Sequence, residues 1–325
     1  MTQEKLAISA SAPGSIMLIG EHAVIHGHPA IVAAIEQRVT VTASSLDSRV
    51  IQIFSEIADP VELPLDRFEL AGPMRFVLAA LAAFRSGLKD GLRLDIKSQI
   101  NPTLGLGSSA AITVAVLGLL GKITAPEHPA LDTRRAELHA MALKIIRQLQ
   151  RHGSGADLAA SLYGGCLSYQ LSADAADQAL AGLPCPEPWV NRPAETFVDR
   201  LPAPQQVSLC YSGYKTQTGD VLEVLAKRMR GREADFVALY KRMGDCASAA
   251  ILAARKAHWK SFAMEMKAYQ ALLQELGVSD ATLDLLLKRA SAHAGVLAAK
   301  ISGSGLGDCI VALGAVPPQH EQIQI

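Results

Sequence analysis

The sequence predicts a two-domain α+β protein, and three observations predict it. The chain has 325 residues, enough for two domains of ordinary size. Half of its residues are apolar and 19% are charged, which allows sizeable cores and argues against disorder. Alternating, β-branched stretches are frequent in the first hundred residues, whereas residues 220–294 read almost wholly as helix.

Lys5 to Ala12 alternates and predicts a first strand, which Pro13-Gly14 is expected to break. Ile16 to Ile19 predicts a second short strand closed by Gly20. Gly20 to Ile31 (GEHAVIHGHPAI) is a polar, glycine-bearing turn between apolar flanks. Arg38–Ser44, Val50–Phe54 and Leu92–Ile100 are expected as strands, and Asp66–Gly87 carries apolar residues at helical spacing. Leu131–Gln150 predicts a long helix that ends at His152-Gly153-Ser154-Gly155-Ala156-Asp157, and the apolar run Leu158–Leu167 passes through Gly164-Gly165. Leu183–Pro204 holds six prolines in 22 positions and is expected to be an irregular surface excursion near the domain boundary. Val207–Tyr211 is a short strand, followed by helices over Asp220–Arg230, Glu233–Ala254, Trp259–Leu276 and Ala281–Ala294, and a last strand over Cys309–Leu313. The expected division is 1–167 and 168–325.

Thirty-one basic residues balance thirty-one acidic ones, so no broad nucleic-acid or anionic-membrane surface is expected. The five cysteines are scattered without a C-x-x-C pair, which argues against a disulfide framework or structural zinc and favours a reducing, cytoplasmic setting. The N-terminus lacks the apolar core of a signal peptide. The apolar run after Ser109 has about a dozen residues, too few to span a bilayer. A small molecule is the expected partner, and a homodimer is left open.

Asn101–Gly121 (NPTLGLGSSAAITVAVLGLLG) reads as a glycine-serine loop opening onto an apolar helix. The first N–H groups of a helix lack internal partners and favour anions, so such a loop suits phosphate. It is neither a Walker A loop nor a dinucleotide fingerprint, and a simple glycine turn capping a buried helix accounts for the same pattern. Three further segments place small and polar residues inside apolar elements: Pro13–Ile31, His152–Gly165 and Lys300–Cys309.

Taken in order, these segments resemble the three motifs of the GHMP kinase family. Pro13-Gly14 with LIGEHAVIHGHPAI resembles the first, PTLGLGSSAA (Pro102–Ala111) the second, and KISGSGLGDC (Lys300–Cys309) the third. The resemblance implies a two-domain α+β fold with ATP and Mg²⁺ in a cleft between the domains. It implies ATP-phosphate contacts at Pro102, Leu104, Gly105, Leu106, Gly107, Ser108, Ser109 and Ala110, with Ser109 on Mg²⁺. Asp157 matches the family aspartate that acts on the substrate hydroxyl; a helix N-cap is its alternative role. Glu21, His22, Ser154, Gly303 and Ser304 match substrate-binding positions, and His22 is expected as a donor to an acidic substrate. His26, His28 and His128 read as solvated loop histidines.

Within the family, the Glu21-His22 segment is most similar to mevalonate kinases, so mevalonate or a related acid alcohol is the expected acceptor. The Gly307-Asp308-Cys309 ending and HGSGADLAASLYGG lean towards phosphomevalonate kinases. A non-catalytic ligand sensor on the same scaffold is a third reading. Two departures from the family pattern motivate it. Ser15 stands where many mevalonate kinases have lysine, and Ile146 stands eleven residues before Asp157, where they have a glutamate for Mg²⁺. Gln148 is the candidate replacement ligand, with Gln150 as the other nearby amide, though an amide is uncharged. Lys215 in Tyr211–Thr218 (YSGYKTQT) reads either as a contributor to the substrate or phosphate end or as an exposed turn residue.

Overall fold

Alternation and β-branching in the first half build one twisted sheet. A computed structural model of the chain describes residues 7–67, 69–126, 131–172, 196–316, 321–323 and 325. Within them, β1 (Ile8–Ile19), β2 (Ala30–Leu46), β3 (Val50–Ser55), β4 (Ala58–Pro64), β5 (Gly91–Ser98), β6 (Cys166–Gln170) and β7 (Phe197–Leu201) form a seven-stranded sheet. The order is β4-β3-β5-β2-β6-β7, with β1 on the other edge of β2. All pairs are antiparallel except β3 with β5. Strand β2 is longer than the alternation predicts. Its stretch 39–43 alternates buried and half-buried, but residues 30–35 are buried at every position and so show no period of two.

Pro13-Gly14 does not end the first strand. β1 runs through it with a register shift between Pro13 and Ser15. Gly14 permits a close approach: a Cβ there would lie 2.6 Å from the Leu106 carbonyl oxygen. Helices α1 (Arg75–Phe84), α2 (Ser108–Thr124), α3 (Leu131–Gln150) and α4 (Ala156–Tyr163) cover the sheet. Helix α2 packs on β1 and β2 and touches α1, α3 and α4, so its apolar residues are buried nearly all round. No helix among the described residues is long and apolar enough to cross a membrane.

The apolar run Leu158–Leu167 is two elements. α4 ends at Tyr163, Gly164 and Gly165 turn the chain at positive φ, and β6 begins at Cys166. The expected division after Leu167 therefore falls inside β6, which pairs with β2. The sheet continues to β7. Most of the proline-rich excursion lies outside the described residues, but Phe197–Leu201 is a strand because the prolines flank it on both sides and leave it on the sheet edge.

The second half begins with β8 (Val207–Tyr211), followed by α5 (Thr218–Met229), α6 (Glu233–Arg255), α7 (Trp259–Leu276) and α8 (Ala281–Ser291). Three strands, β9 (Val296–Ser302), β10 (Cys309–Gly314) and β11 (Glu321–Ile323), join β8 in an antiparallel sheet of order β11-β8-β10-β9. Asp280 caps α8 by accepting from the N–H groups of Thr282 and Leu283. Helices α7 and α8 pack on β9, and β9 and α7 both meet β1. One continuous apolar core spans the two halves.

Candidate active site

The loop before α2 is shaped by where its side chains go. Leu104, Leu106 and Ala110 are buried, whereas Pro102 and Gly105 are exposed and Gly107, Ser108 and Ser109 are half-buried. The apolar side chains anchor the loop from beneath and leave its backbone facing outwards. Gly107 is the N-cap of α2 at φ 66, and no side chain caps the helix. The first helical bond runs from the Ala111 N–H to the Gly107 carbonyl, at 2.9 Å. The N–H groups of Ser108, Ser109 and Ala110 thus lie before the helical ladder, with no acidic residue in the first turn. Neither serine is the cap; both are in the first turn, where their hydroxyls can meet the same ligand as the amides.

Ser15 ties this loop to Asp157. Its N–H donates to the Leu106 carbonyl at 3.1 Å, and its hydroxyl donates to Asp157 Oδ1 at 2.8 Å. The fit demands glycine opposite, since a Cβ on Gly107 would lie 2.1 Å from Ser15 Oγ. Asp157 is in the first turn of α4, and the N-cap there is Gly155. The carboxylate is therefore not the cap and is left for Ser15 and the open side. Asp157 is reachable from solvent but surrounded by protein. Burial of the carboxyl raises its pKa, while the Ser15 hydroxyl and the charge of Lys215 pull it back. Ser154 is engaged in holding the turn: its hydroxyl accepts from the Ala156 N–H at 3.2 Å, and its carbonyl accepts from Tyr169 at 2.7 Å. His139 Nε2–H donates to the Gly155 carbonyl at 3.0 Å.

Glu21 and His22 meet the third motif. Glu21 forms a buried ion pair with Lys300, whose ammonium also donates to the Ile301 carbonyl. Tyr269 donates to the Glu21 carbonyl at 2.7 Å. Burial pushes the Glu21 carboxyl up and the Lys300 ammonium down, and each partner opposes the other's shift. Glu21 Oε2 is buried without a hydrogen-bond partner. His22 Nε2 lies 2.9 Å from the Ser304 carbonyl, which can only accept, so this nitrogen carries the proton. Burial lowers the His22 pKa to about 4. The expectation of a donor to an acidic substrate is thereby corrected: the imidazole is neutral, its N–H is engaged by Ser304, and Nδ1 is an acceptor suited to a hydroxyl. Tyr269 is legible in the sequence only as one residue of the buried stripe of its helix, and Lys300 only as the first residue of the third motif.

The third-motif turn is strapped to Tyr211–Thr218. The Leu306 N–H donates to the Val278 carbonyl and the Asp308 N–H to the Tyr214 carbonyl, both at 2.8 Å. The Thr216 hydroxyl donates to the Leu306 carbonyl. This places Lys215 where its charge acts on both Asp157 and Asp308. Asp308 is buried between Gly105 and Gly303, and Ser304 is buried beside His22.

Gln148 is not brought to the site. It is exposed, two residues beyond Ile146, or about 200° around the helix. The residue that does face the Gly153–Asp157 turn is the apolar Ile146, which a Cβ on Gly153 would meet at 2.9 Å. His26 is also corrected: it is buried, and its ring stacks on Tyr240 with centroids 3.9 Å apart. His28 is half-buried against Gly244, and His128 lies outside the described residues. No three His, Cys, Asp or Glu side chains gather as a metal site among the described residues.

Three family models match the chain: the GHMP kinases N terminal domain over residues 75–165, the galactokinase galactose-binding signature over 2–45, and the GHMP kinases C terminal over 250–324. A mevalonate kinase of Pyrococcus horikoshii is 30% identical, over 94% of this chain and 88% of its own. The chain belongs to the GHMP kinase family. A phosphomevalonate kinase of a Streptomyces species is 28% identical to this GHMP kinase, over 96% of this chain and 91% of its own. The fold is shared with L. major mevalonate kinase, solved in complex with R-mevalonate, at a TM-score of 0.72 and 23% identity, covering 98% of this chain and 90% of that one. As a GHMP kinase it is an ATP-dependent enzyme that phosphorylates a hydroxyl.

Proposed function

We propose that this GHMP kinase transfers the γ-phosphoryl group of ATP to the hydroxyl of mevalonate, giving 5-phosphomevalonate and ADP. The observation that carries the choice of acceptor is the charge around Glu21, His22 and Asp157. Lys300 is neutralised by Glu21, and among the described residues the other cation acting on these groups is the exposed Lys215. An acceptor that already bears a phosphate needs additional basic groups converging there. The relatives named mevalonate kinase support the same acceptor.

In this reading the loop from Pro102 to Ala110 holds the triphosphate through its backbone and the first turn of α2. The residues fit Mg²⁺ as well: two serine hydroxyls stand at the cradle, and a buried carboxylate oxygen of Asp308 lacks a partner. Mg²⁺, when bound with ATP, neutralises the phosphate oxygens. Asp157 accepts the proton of the substrate hydroxyl, its carboxylate fixed by Ser15. Glu21 Oε2 and His22 Nδ1 are acceptors, either of which can take the proton of the second substrate hydroxyl and orient the acceptor. Lys215 supplies the positive charge that the family lysine would bring at Ser15. The four described cysteines are buried free thiols, which supports a reducing, cytoplasmic setting.

The test is ADP release by purified protein with mevalonate, phosphomevalonate, galactose and homoserine. Turnover on mevalonate is expected. A phosphomevalonate kinase is the second reading, favoured by Gly307-Asp308-Cys309 and the Streptomyces relative, and turnover confined to phosphomevalonate would establish it. ATP binding with no turnover on any acceptor would favour a ligand sensor.

A further inference from the structure

The placement of Asp308 is unusual for a carboxylate. It is 6% exposed, and its Oδ1 has no hydrogen-bond partner. Both oxygens face the phosphate loop: a Cβ placed on Gly105 would lie 2.8 Å from Oδ1 and 2.9 Å from Oδ2. The residue is held at φ 70, a conformation that glycine adopts freely and other residues resist. The surroundings over-determine it. Its N–H donates to Tyr214 and its carbonyl accepts from Ser212, both at 2.8 Å, and the thiol of Cys309 reaches the Leu104 carbonyl at 3.4 Å.

A buried carboxylate facing a triphosphate cradle repels the triphosphate. A divalent cation held between them converts that repulsion into attraction. Lys215 is exposed and makes no hydrogen bond that would satisfy Oδ1. The α3 position expected to bring an acidic ligand holds Ile146, whose side chain packs on Gly153.

We infer that Asp308 is a ligand, direct or through one water, of the divalent cation that accompanies ATP. It thereby supplies from the third motif the negative charge that Ile146 cannot supply from α3. With the hydroxyls of Ser108 and Ser109 and the phosphate oxygens it makes a hard, all-oxygen set suited to Mg²⁺ or Mn²⁺. This rests on the reading of Pro102–Ala110 as the nucleotide loop.

The test uses the full chain and AMPPNP, a non-hydrolysable ATP analogue. Its binding is measured by calorimetry with Mn²⁺ and with EDTA, and Mn²⁺ held by the ternary complex is measured by electron paramagnetic resonance. In Asp308→Asn, Mn²⁺ affinity of the nucleotide complex falls at least about tenfold. Cation-free AMPPNP binding holds or tightens, because a like charge is gone. The advantage that Mn²⁺ gives nucleotide binding shrinks by the corresponding factor, as linkage requires. Asp308→Gly relieves the positive φ, so it keeps the fold and shows the same pattern. Wild-type Mn²⁺ affinity in both variants would overturn the inference. So would an equal loss of AMPPNP affinity with and without Mn²⁺, the outcome for a purely structural residue. Failure of the unaltered protein to bind AMPPNP in either condition would overturn the reading of the loop itself.

Discussion

Replacing Lys300 by methionine is expected to lower the melting temperature by about 6–10 °C at pH 8. Methionine keeps an unbranched apolar side chain of similar length and removes the ammonium, which sits 5.9 Å from the centre of the Tyr269 ring. What remains is Glu21 at 3% exposure with its ion-pair partner gone. Breaking a buried pair from one side costs about 3–5 kcal/mol, because the surviving charge is uncompensated. For a chain of this size each kcal/mol moves the midpoint by roughly 2 °C. The deficit depends on pH in a defined direction. Burial raises the Glu21 carboxyl above its ordinary 4.5, and Lys300 is the largest influence holding it down. A carboxyl raised in the folded state favours folding while protonated and loses that contribution as pH rises through its folded pKa. The variant is therefore closest to wild type in acid and falls furthest behind at alkaline pH. Adding Glu21→Gln removes the orphaned charge and recovers most of the loss. Calorimetric melting of the wild type, both single variants and the double variant at pH 6 and pH 8 gives the answer. A double variant no more stable than Lys300→Met alone, or a deficit independent of pH, would refute the reasoning.

Asp157→Asn is expected to lower kcat by about 10²–10⁴-fold. Its melting temperature should hold or rise, because Gly155 provides the cap and the lost charge is one that burial disfavours; unchanged ADP release would remove Asp157 from the mechanism. Gly107→Ala places a Cβ 2.1 Å from Ser15 Oγ at φ 66, so about 1–3 kcal/mol of stability and most of the turnover should be lost together. Wild-type melting and rate in that variant would count against the tight Ser15 contact. His22, with a pKa lowered to about 4, should remain a neutral Nε2–H tautomer from pH 5 to 8 in ¹⁵N NMR. Its preference for the neutral form stabilises the fold above pH 6.5, and that contribution is lost as pH falls from 6.5 towards 4. A midpoint near 6.5 would contradict the buried, neutral assignment.

Several elements were legible because their causes are local. Leu131–Gln150, Val207–Tyr211 and Trp259–Leu276 have the bounds that periodicity predicts. The Gly-Ser loop opens onto α2 because a positive-φ cap and an apolar run are written in neighbouring residues. Locality is also where the reading failed. Pro13-Gly14 is a break by its own propensities, but pairing with β2 on one side and the approach of Leu106 on the other carry the strand through. The strand over Phe197–Leu201 was hidden by prolines that flank it rather than occupy it.

By itself, the sequence determined the family motifs, the glycine-serine loop before α2 and the turn before α4, because backbone conformation follows from residues a few positions apart. Tertiary structure alone decided who meets whom. Ser15 reaches Asp157 across 142 residues, Lys300 reaches Glu21 across 279, and His22 reaches Ser304 across 282. Burial then set the chemistry of each pair. It kept His22 neutral with its Nε2–H committed to Ser304, and left one oxygen of Glu21 and one of Asp308 without a partner. Desolvation and charge pairing depend on what surrounds a group in space, and no spacing along the chain encodes that directly.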